Sequence, residues 1–244
     1  MKDDVPFLSD SVIEQEAALL LAEYARDHKP ILEPAVPIED IVELHLKLTF
    51  ELKDLEQVCG HRDVHGAIWV NEQRIAIDKQ LDPALYPTKR GRYHFTLAHE
   101  TGHWRLHRKY FLKRDERMLF DGAAVPPDFI GRSGNKNRVE VQANQFAAYL
   151  LMPLPLVKQE WEKWHGSLAP ICLDQLGDRR RQLLNAEVLR RGNAKPGQEA
   201  EDNMIMDHLS RPLAERFLVS PEAMRYRLVD CGFLARKKEA SLFE

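Results

Sequence analysis

The sequence is short of cysteine, and the three cysteines it has lie far apart. Cys59, Cys172 and Cys231 are odd in number and form no C-x-x-C pair, a usage that suits a reducing compartment better than a disulfide framework. The sequence also lacks a charged-then-apolar start and any apolar run long enough to span a bilayer. These absences argue against a disulfide-stapled secreted domain and a membrane protein, and they predict a cytoplasmic location.

An excess of charge of one sign is also missing. The chain has 35 Lys and Arg against 38 Asp and Glu, a formal net charge of -3 at pH 7, so no global attraction to nucleic acid is expected. With 244 residues, of which 44% are hydrophobic, the chain is long enough to bury a substantial core. Composition therefore predicts an ordinary globular protein.

Hydrophobic periodicity predicts helices followed by a small sheet. Residues 11–27 and 36–48 have helical spacing, whereas "LTFELKDL", "GAIWVN" and "RIAIDK" read as strands, the last two as a hairpin. Helical pattern resumes at Tyr93 and again over residues 137–151. The connection at 121–137, "DGAAVPPDFIGRSGNKN", is rich in glycine, proline and polar residues, and we expect it to be irregular.

Four of the ten histidines lie in "RYHFTLAHETGHWRLHRKY", residues 92–110. Within it, residues 99–103 form an H-E-x-x-H motif in a helical setting. Positions i and i+4 of a helix project from one face, so His99 and His103 can converge on one zinc ion while Glu100 points at a water to be activated. The alternative is a set of exposed histidines on a polar helix.

Helical spacing leaves several roles open for the other polar residues of this stretch. On a continuing α-helix, His107 lies roughly 12 Å along the axis from His99, too far for the two to share one ion. His107 is expected to lie behind the ligands, to face the substrate, or simply to be packed. His94 either lines the cleft or lies on the surface, and the candidate oxyanion stabilisers are Tyr93, His94 and His107.

A zinc site of this type needs a third protein ligand, and the best candidate is Glu140 in "NRVEVQANQFAAYLLMP". On a helix Glu140 shares a face with Ala143, Asn144 and Ala147. Small residues beside a carboxylate allow close approach to the helix of His99 and His103. An exposed glutamate is the alternative, and Asn144 could orient a ligand histidine.

The segments "FTLAHETGHWRLH" and "EVQANQFAAYLLMP" together resemble the ImmA/IrrE family of metallopeptidases. "LAERFLVSPEAMRYRLVDCGF" is similar to the end of that family's common region, and the resemblance covers roughly residues 30–235. It implies zinc as the cofactor, a gluzincin-like site with His99, His103 and Glu140 as ligands, and Glu100 as the base.

The resemblance also implies a fold and a partner. We expect an α+β chain: a zincin-like core over residues 1–165, with a small antiparallel sheet and the H-E-x-x-H helix, then a mostly helical region over 166–244. Asn144 stands where gluzincins such as thermolysin carry an acidic residue, and Thr101 replaces an apolar one. Many relatives carry an N-terminal DNA-binding helix-turn-helix for which this sequence has no room, so a repressor partner is expected to be a separate chain.

The predicted function is that of a zinc metallo-endopeptidase that makes limited cuts in a specific protein. The resemblance implies a helix-turn-helix transcriptional repressor as the substrate, with derepression of genes as the result. Selectivity is expected from the connection at 121–137 and from the helices after residue 200. By analogy, an exposed sheet edge near "GAIWVN" is expected to hold the substrate as an added strand.

A competing function rests on "RPLAERFLVSPEAMRYRL", which predicts two helices joined at Val219 and Ser220, with Ser220 as cap and Pro221 in the first turn. This pair imitates a helix-turn-helix. Residues 203–238 have seven basic against four acidic residues, a net +3 that is weak for phosphate binding. A pair that packs or recognises a protein is favoured over DNA contact. The alternative function is a metal-containing regulator that binds DNA or protein without proteolysis.

Overall fold

The structure, a computed structural model, describes residues 5–110, 126–132, 137–191 and 197–237. The chain divides into two compact units, Met1–Pro153 and Leu154–Glu244. The expected boundary at 165 lies twelve residues later. Helix α6, Leu154–His165, falls in the second unit, where the ring of Trp161 stacks on Phe233 with centroids 5.2 Å apart.

The helices of the first unit follow the periodicity of the sequence. They are α1 (Asp10–Asp27), α2 (Ile38–Asp40, continued by a π-helical turn at Ile41–His45), α3 (Leu55–Cys59), α4 (Arg90–Gly102, continued by a π-helical turn at His103–His107) and α5 (Arg138–Leu151). In α1 the buried residues Ile13, Ala17, Leu20 and Tyr24 recur at helical spacing. Asn137 caps α5, its side chain accepting a hydrogen bond from the Val139 N–H at 3.2 Å.

A four-stranded sheet completes the first unit. Its strands are β1 (Thr49–Lys53), β2 (Val64–Trp69), β3 (Arg74–Asp78) and β4 (Phe129–Arg132), in the order β1-β3-β2-β4. The expected β2–β3 hairpin is antiparallel, whereas β1 pairs parallel to β3. The chain leaves β1 through α3 and returns through the hairpin, so β3 runs in the direction of β1. The α+β class is confirmed, with a mixed rather than wholly antiparallel sheet.

Strand β4 corrects the expectation that residues 121–137 lack regular structure; of that stretch, 121–125 and 133–136 lie outside the described residues. Phe129 and Ile130 pair with Ile68 and Ala67 of β2. The four-residue strand forms because its backbone pairs with β2 and the side chain of Phe129 is buried. Local strand propensity does not show either of these contacts. The expectation of a free sheet edge at "GAIWVN" is therefore wrong, since β2 is paired on both sides.

Helices α4 and α5 cross at a glycine. A Cβ on Gly102 would lie 3.2 Å from both the Cα and the carbonyl oxygen of Ala143. The two small residues allow the close approach that the alanines of α5 predicted. This crossing brings the H-E-x-x-H face of α4 against Glu140.

The second unit contains α6, α7 (Asp178–Arg191), α8 (Gln198–Phe217) and α9 (Pro221–Asp230), with a two-stranded parallel sheet of β5 (Ile171–Cys172) and β6 (Leu234–Ala235). The predicted cap at Ser220 is confirmed: its hydroxyl accepts from the Ala223 N–H at 3.1 Å, and Pro221 begins α9. No helix in the described ranges combines the length and apolarity needed to cross a membrane.

Candidate metal centre

Three side chains from two helices converge in the first unit. The Nε2 atoms of His99 and His103 lie 3.0 Å apart. Oε2 of Glu140 lies 3.2 Å from the first nitrogen, and Oε1 lies 3.6 Å from the second. One ligand atom from each residue can be chosen so that all lie within 4.8 Å of one another. All three side chains are buried, so the arrangement does not depend on flexible surface groups.

This donor set fits a divalent cation. Oε1 of Glu140 is buried and has no hydrogen-bond partner among the described residues, and leaving a charged oxygen in that state is costly. Two imidazole nitrogens and a carboxylate are ligands that zinc accepts, with the fourth position left for water or substrate. In the described part of the chain, this is the one group of three such residues.

Electrostatics tie the three groups together. Burial acts to raise the pKa of Glu140, but the adjacent imidazoles of His103 and His99 outweigh it and hold that pKa well below its usual range. Burial likewise acts to lower the pKa of His99, and the neighbouring carboxylates Glu140 and Glu100 reverse the direction. Burial of His103 lowers its pKa to about 3. These shifts favour a neutral imidazole at His103 and a carboxylate at Glu140, the forms in which the two residues bind a metal ion.

Glu100 lies beside this group and has no exposed surface. Neither of its carboxyl oxygens has a hydrogen-bond partner among the described residues. Burial raises its pKa to about 8, opposed by the charge of His99 and assisted by that of Glu140. A cation held by His99, His103 and Glu140 would favour the ionised form, because opposite charge stabilises a carboxylate.

Two glycines make the space that Glu100 occupies. A Cβ on Gly66 of β2 would overlap Oε1 of Glu100 and lie 2.8 Å from Cγ2 of Thr96, and one on Gly131 of β4 would lie 2.8 Å from the same oxygen. We predict that Gly66→Ala displaces the Glu100 carboxylate and lowers the rate of peptide cleavage by about 100-fold, the cost of misplacing a reacting group by about 1 Å. Zinc content should not change, because no predicted ligand is touched.

The matched control for this prediction is Gly197→Ala, where an added methyl meets nothing within 4 Å. Zinc content by elemental analysis and cleavage rate should be measured for both variants. A Gly66→Ala protein that cleaves as fast as Gly197→Ala would show that the glycine does not position Glu100.

Asn144 and His107 lie next to the convergent group. Oδ1 of Asn144 lies 2.9 Å from Nδ1 of His99, the position in which it can orient that ring. His107 is fully buried, with Nδ1 3.1 Å from Nδ1 of His103 and Nε2 3.0 Å from Oε1 of Gln142. Sequence reasoning missed Gln142. The one feature that could have indicated it is an amide side chain two residues after Glu140 on the same helix.

Tyr93 and His94 lie outside the convergent group. The Tyr93 hydroxyl donates to Oε1 of Glu39 at 2.8 Å, and burial together with that carboxylate raises its pKa. The ring of His94 lies against Tyr93, with centroids 5.7 Å apart. Among the described residues, neither side chain hydrogen bonds to the convergent group, so the structure gives no support for either as an oxyanion stabiliser.

Phe129 of β4 is a further residue that sequence reasoning missed. Its ring stacks on that of His103, with centroids 4.2 Å apart and planes 13° apart. Together with Gly131 beside Glu100, it shows that β4 runs directly across the convergent group. An isolated aromatic residue in a stretch rich in glycine and proline carried no sequence signal of this position.

Comparison with protein families gives one finding for this chain. The profile of peptidase M78, described as the IrrE N-terminal-like domain, matches residues 46–176, which is more than half of the 244 residues. The matched range contains the H-E-x-x-H helix, β4 and the helix of Glu140. No curated protein matches the chain.

Proposed function

This chain belongs to the peptidase M78 family, and we propose that it is a zinc-dependent endopeptidase that makes limited cuts in a helix-turn-helix transcriptional repressor. The family match confirms the resemblance to ImmA/IrrE metallopeptidases and a function of the metallopeptidase type. The choice of zinc, the residue roles and the substrate are the proposal.

One observation carries it: two histidine nitrogens and a carboxylate converge beside a glutamate that is buried and has no partner within the described ranges. When bound, zinc supplies a Lewis acid that polarises the scissile carbonyl and acidifies water at the site. His99, His103 and Glu140 would hold it, in agreement with the ligand types that zinc prefers.

The chain's own residues then do the rest. Glu100 accepts the proton of the attacking water and delivers it to the leaving amine. Gly66 and Gly131 keep space for its carboxylate, while Asn144 holds the His99 ring through a 2.9 Å contact. The buried surroundings exclude bulk water, which strengthens each electrostatic interaction.

The proposal of limited rather than general proteolysis is supported by β4. The edge of β2, where an extended peptide was expected to add, is taken by the chain's own strand. Glu100 and His103 have no exposed surface beneath it. A substrate therefore cannot add to β2 as a strand, and we propose that it needs further contacts to engage the site.

The alternative of DNA binding through α8 and α9 is less well supported, because the arginines of this pair are engaged within the unit. Arg225 donates to Asp207 at 2.7 Å, and Arg211 to Glu187 at 2.9 Å. Arg227 pairs with Asp230, and Arg216 with Glu160. Binding phosphates would require these ion pairs to be exchanged.

We predict that the zinc-loaded protein cleaves its cognate repressor once and leaves casein essentially intact. A cut that separates the DNA-binding from the dimerising part would lower operator affinity, because linked half-sites bind far more tightly than separate ones. The test incubates both substrates with the protein and follows fragments by mass spectrometry. The repressor encoded beside the gene, if one exists, is the first choice.

Three results separate the possibilities. Efficient casein digestion would contradict the claim of selectivity. A zinc-loaded protein that binds the repressor or its operator without cutting either chain would favour the regulator. Cleavage that survives both a chelator and Glu100→Gln would assign the activity to a contaminant.

A further inference from the structure

A chain of hydrogen bonds leads from the backbone near the start of the chain to His103. Its outer end is the amide of Gln142 on α5, whose Nε2 donates to the carbonyl oxygen of Pro6 at 3.0 Å. A backbone carbonyl only accepts, so this bond fixes which end of the amide faces outward. Oε1 of Gln142 must then face the other way, toward His107.

The orientation of Gln142 determines where His107 carries its proton. Nε2 of His107 lies 3.0 Å from Oε1 of Gln142, and an amide oxygen can only accept, so His107 is protonated on Nε2. A neutral imidazole has one N–H and one lone pair. The lone pair of His107 is therefore on Nδ1, 3.1 Å from Nδ1 of His103.

The same logic reaches the convergent group. Since Nδ1 of His107 accepts, Nδ1 of His103 must donate, and the lone pair of His103 is on Nε2. That atom faces Nε2 of His99 at 3.0 Å and Oε1 of Glu140 at 3.6 Å. We infer that His107 is a positioning residue, which Gln142 and the Pro6 carbonyl hold in the tautomer that keeps His103 ready to bind the metal.

The burial of His107 argues against its other two expected roles, contact with the substrate and simple packing. His107 and Gln142 are 0% and 2% exposed, and both ring nitrogens of His107 are used within the chain of bonds. It therefore has no free nitrogen to offer a substrate, and it is not simply packed. The sequence-based interpretation that His107 lies behind the ligands is the one that fits.

His107 follows His103 by four residues, the spacing at which helical side chains contact each other, and the two residues bound a π-helical turn. The sequence-based estimate placed His107 far along a regular α-helix from His99, and it remains outside the convergent group. Its ring lies 5.3 Å from that of His103, centroid to centroid. Such turns within helices occur frequently at functional sites.

The two ligand histidines are supported unequally. Asn144, which faces His99, is exposed, so water can replace its contact. His107 and Gln142 are buried, so an N–H of His103 left without an acceptor there has no substitute. The effect of substitution should therefore be larger at His107 than at Asn144.

This inference rests on the proposed metal site but not on proteolysis, so zinc affinity is the first readout. His107→Leu should weaken zinc binding by about 10- to 100-fold, the usual cost of removing a group that orients a ligand. His107→Asn places an amide oxygen near the position of Nδ1 and should restore most of the affinity. Asn144→Leu is the control on the exposed side, with a smaller loss. Stoichiometry should remain one zinc per chain throughout.

The second readout is the tautomer of His107, which a packing role would not fix. In zinc-loaded protein labelled with ¹⁵N-histidine, two-bond ¹H–¹⁵N correlations should show His107 protonated on Nε2. The signal is identified by its loss in His107→Asn. Gln142→Leu should release this preference and weaken zinc binding, and it decides the matter if His107→Leu fails to fold.

Three results would overturn the inference. One is His107 protonated on Nδ1 in the zinc-loaded wild-type protein. The other two are wild-type zinc affinity in His107→Leu, and equal losses of zinc affinity in His107→Leu and His107→Asn. Absence of peptide cleavage with normal zinc binding would instead count against the proposed function alone.

Discussion

Glu100→Gln is expected to keep its zinc and to lose cleavage by about 10²- to 10⁴-fold, the usual contribution of a general base. Glutamine preserves the size of a side chain that has no exposed surface and is packed against Gly66 and Gly131. What it cannot do is accept a proton. Because none of the predicted ligands is altered, metal content and the fold should be those of the parent protein.

The matched control is Glu162→Gln, the same chemical change at an exposed position on α6. The rate of repressor cleavage should be measured for parent, Glu100→Gln and Glu162→Gln at equal zinc occupancy. Turnover by Glu100→Gln close to that of Glu162→Gln would remove Glu100 from its role as base.

Glu140→Ala is expected to have the largest effect on metal binding. Zinc affinity should fall by more than about 100-fold, which is more than the removal of a group that orients a ligand costs. It removes the carboxylate that lies 3.2 Å from His99 and 3.6 Å from His103. Two histidines on adjacent turns remain, which is too few protein ligands for a stable zinc site. Zinc affinity by chelator competition and zinc content after dialysis both test this.

Comparison with His107→Leu makes the ligand assignment testable. Glu140→Ala should leave the protein without zinc after dialysis, while His107→Leu should still bind one ion with reduced affinity. The reverse pattern, with the metal lost from His107→Leu and retained by Glu140→Ala, would show that the ligand set is wrong.

The convergent group could be predicted because its signals are local. The four-residue spacing of His99 and His103 places both on one helical face, and the small residues around Glu140 indicate a helix that can approach another. Those two regularities were enough to predict which three side chains meet, and the structure brings them together. The family was indicated by the resemblance of several segments taken together, and that resemblance also implied the α+β class.

What could not be predicted depends on contacts distant in sequence. Strand β4 forms because it pairs with β2, about sixty residues earlier in the chain, although its own composition favours a loop. The Tyr93 hydroxyl is bound by Glu39, 54 residues earlier, which no periodicity shows. The role of Gln142 depends on a carbonyl 136 residues away, at Pro6.

The position of His107 could be predicted in part from the sequence. Helical spacing correctly separated it from the predicted ligands, because the distance along a helix axis follows from residue number. The spacing could not show a change to π-helical geometry at His103, which depends on how the end of α4 packs. The positioning role inferred for His107 depends on its contacts with His103 and Gln142, which helical spacing does not show.

The most direct test of the account is the mass of the products formed from the repressor by the zinc-loaded protein. Two fragments are expected, and their masses should add up to that of the intact repressor plus one water. Neither fragment should appear with a chelator or with Glu100→Gln. An intact repressor, in the presence of protein carrying one zinc per chain, would contradict the account.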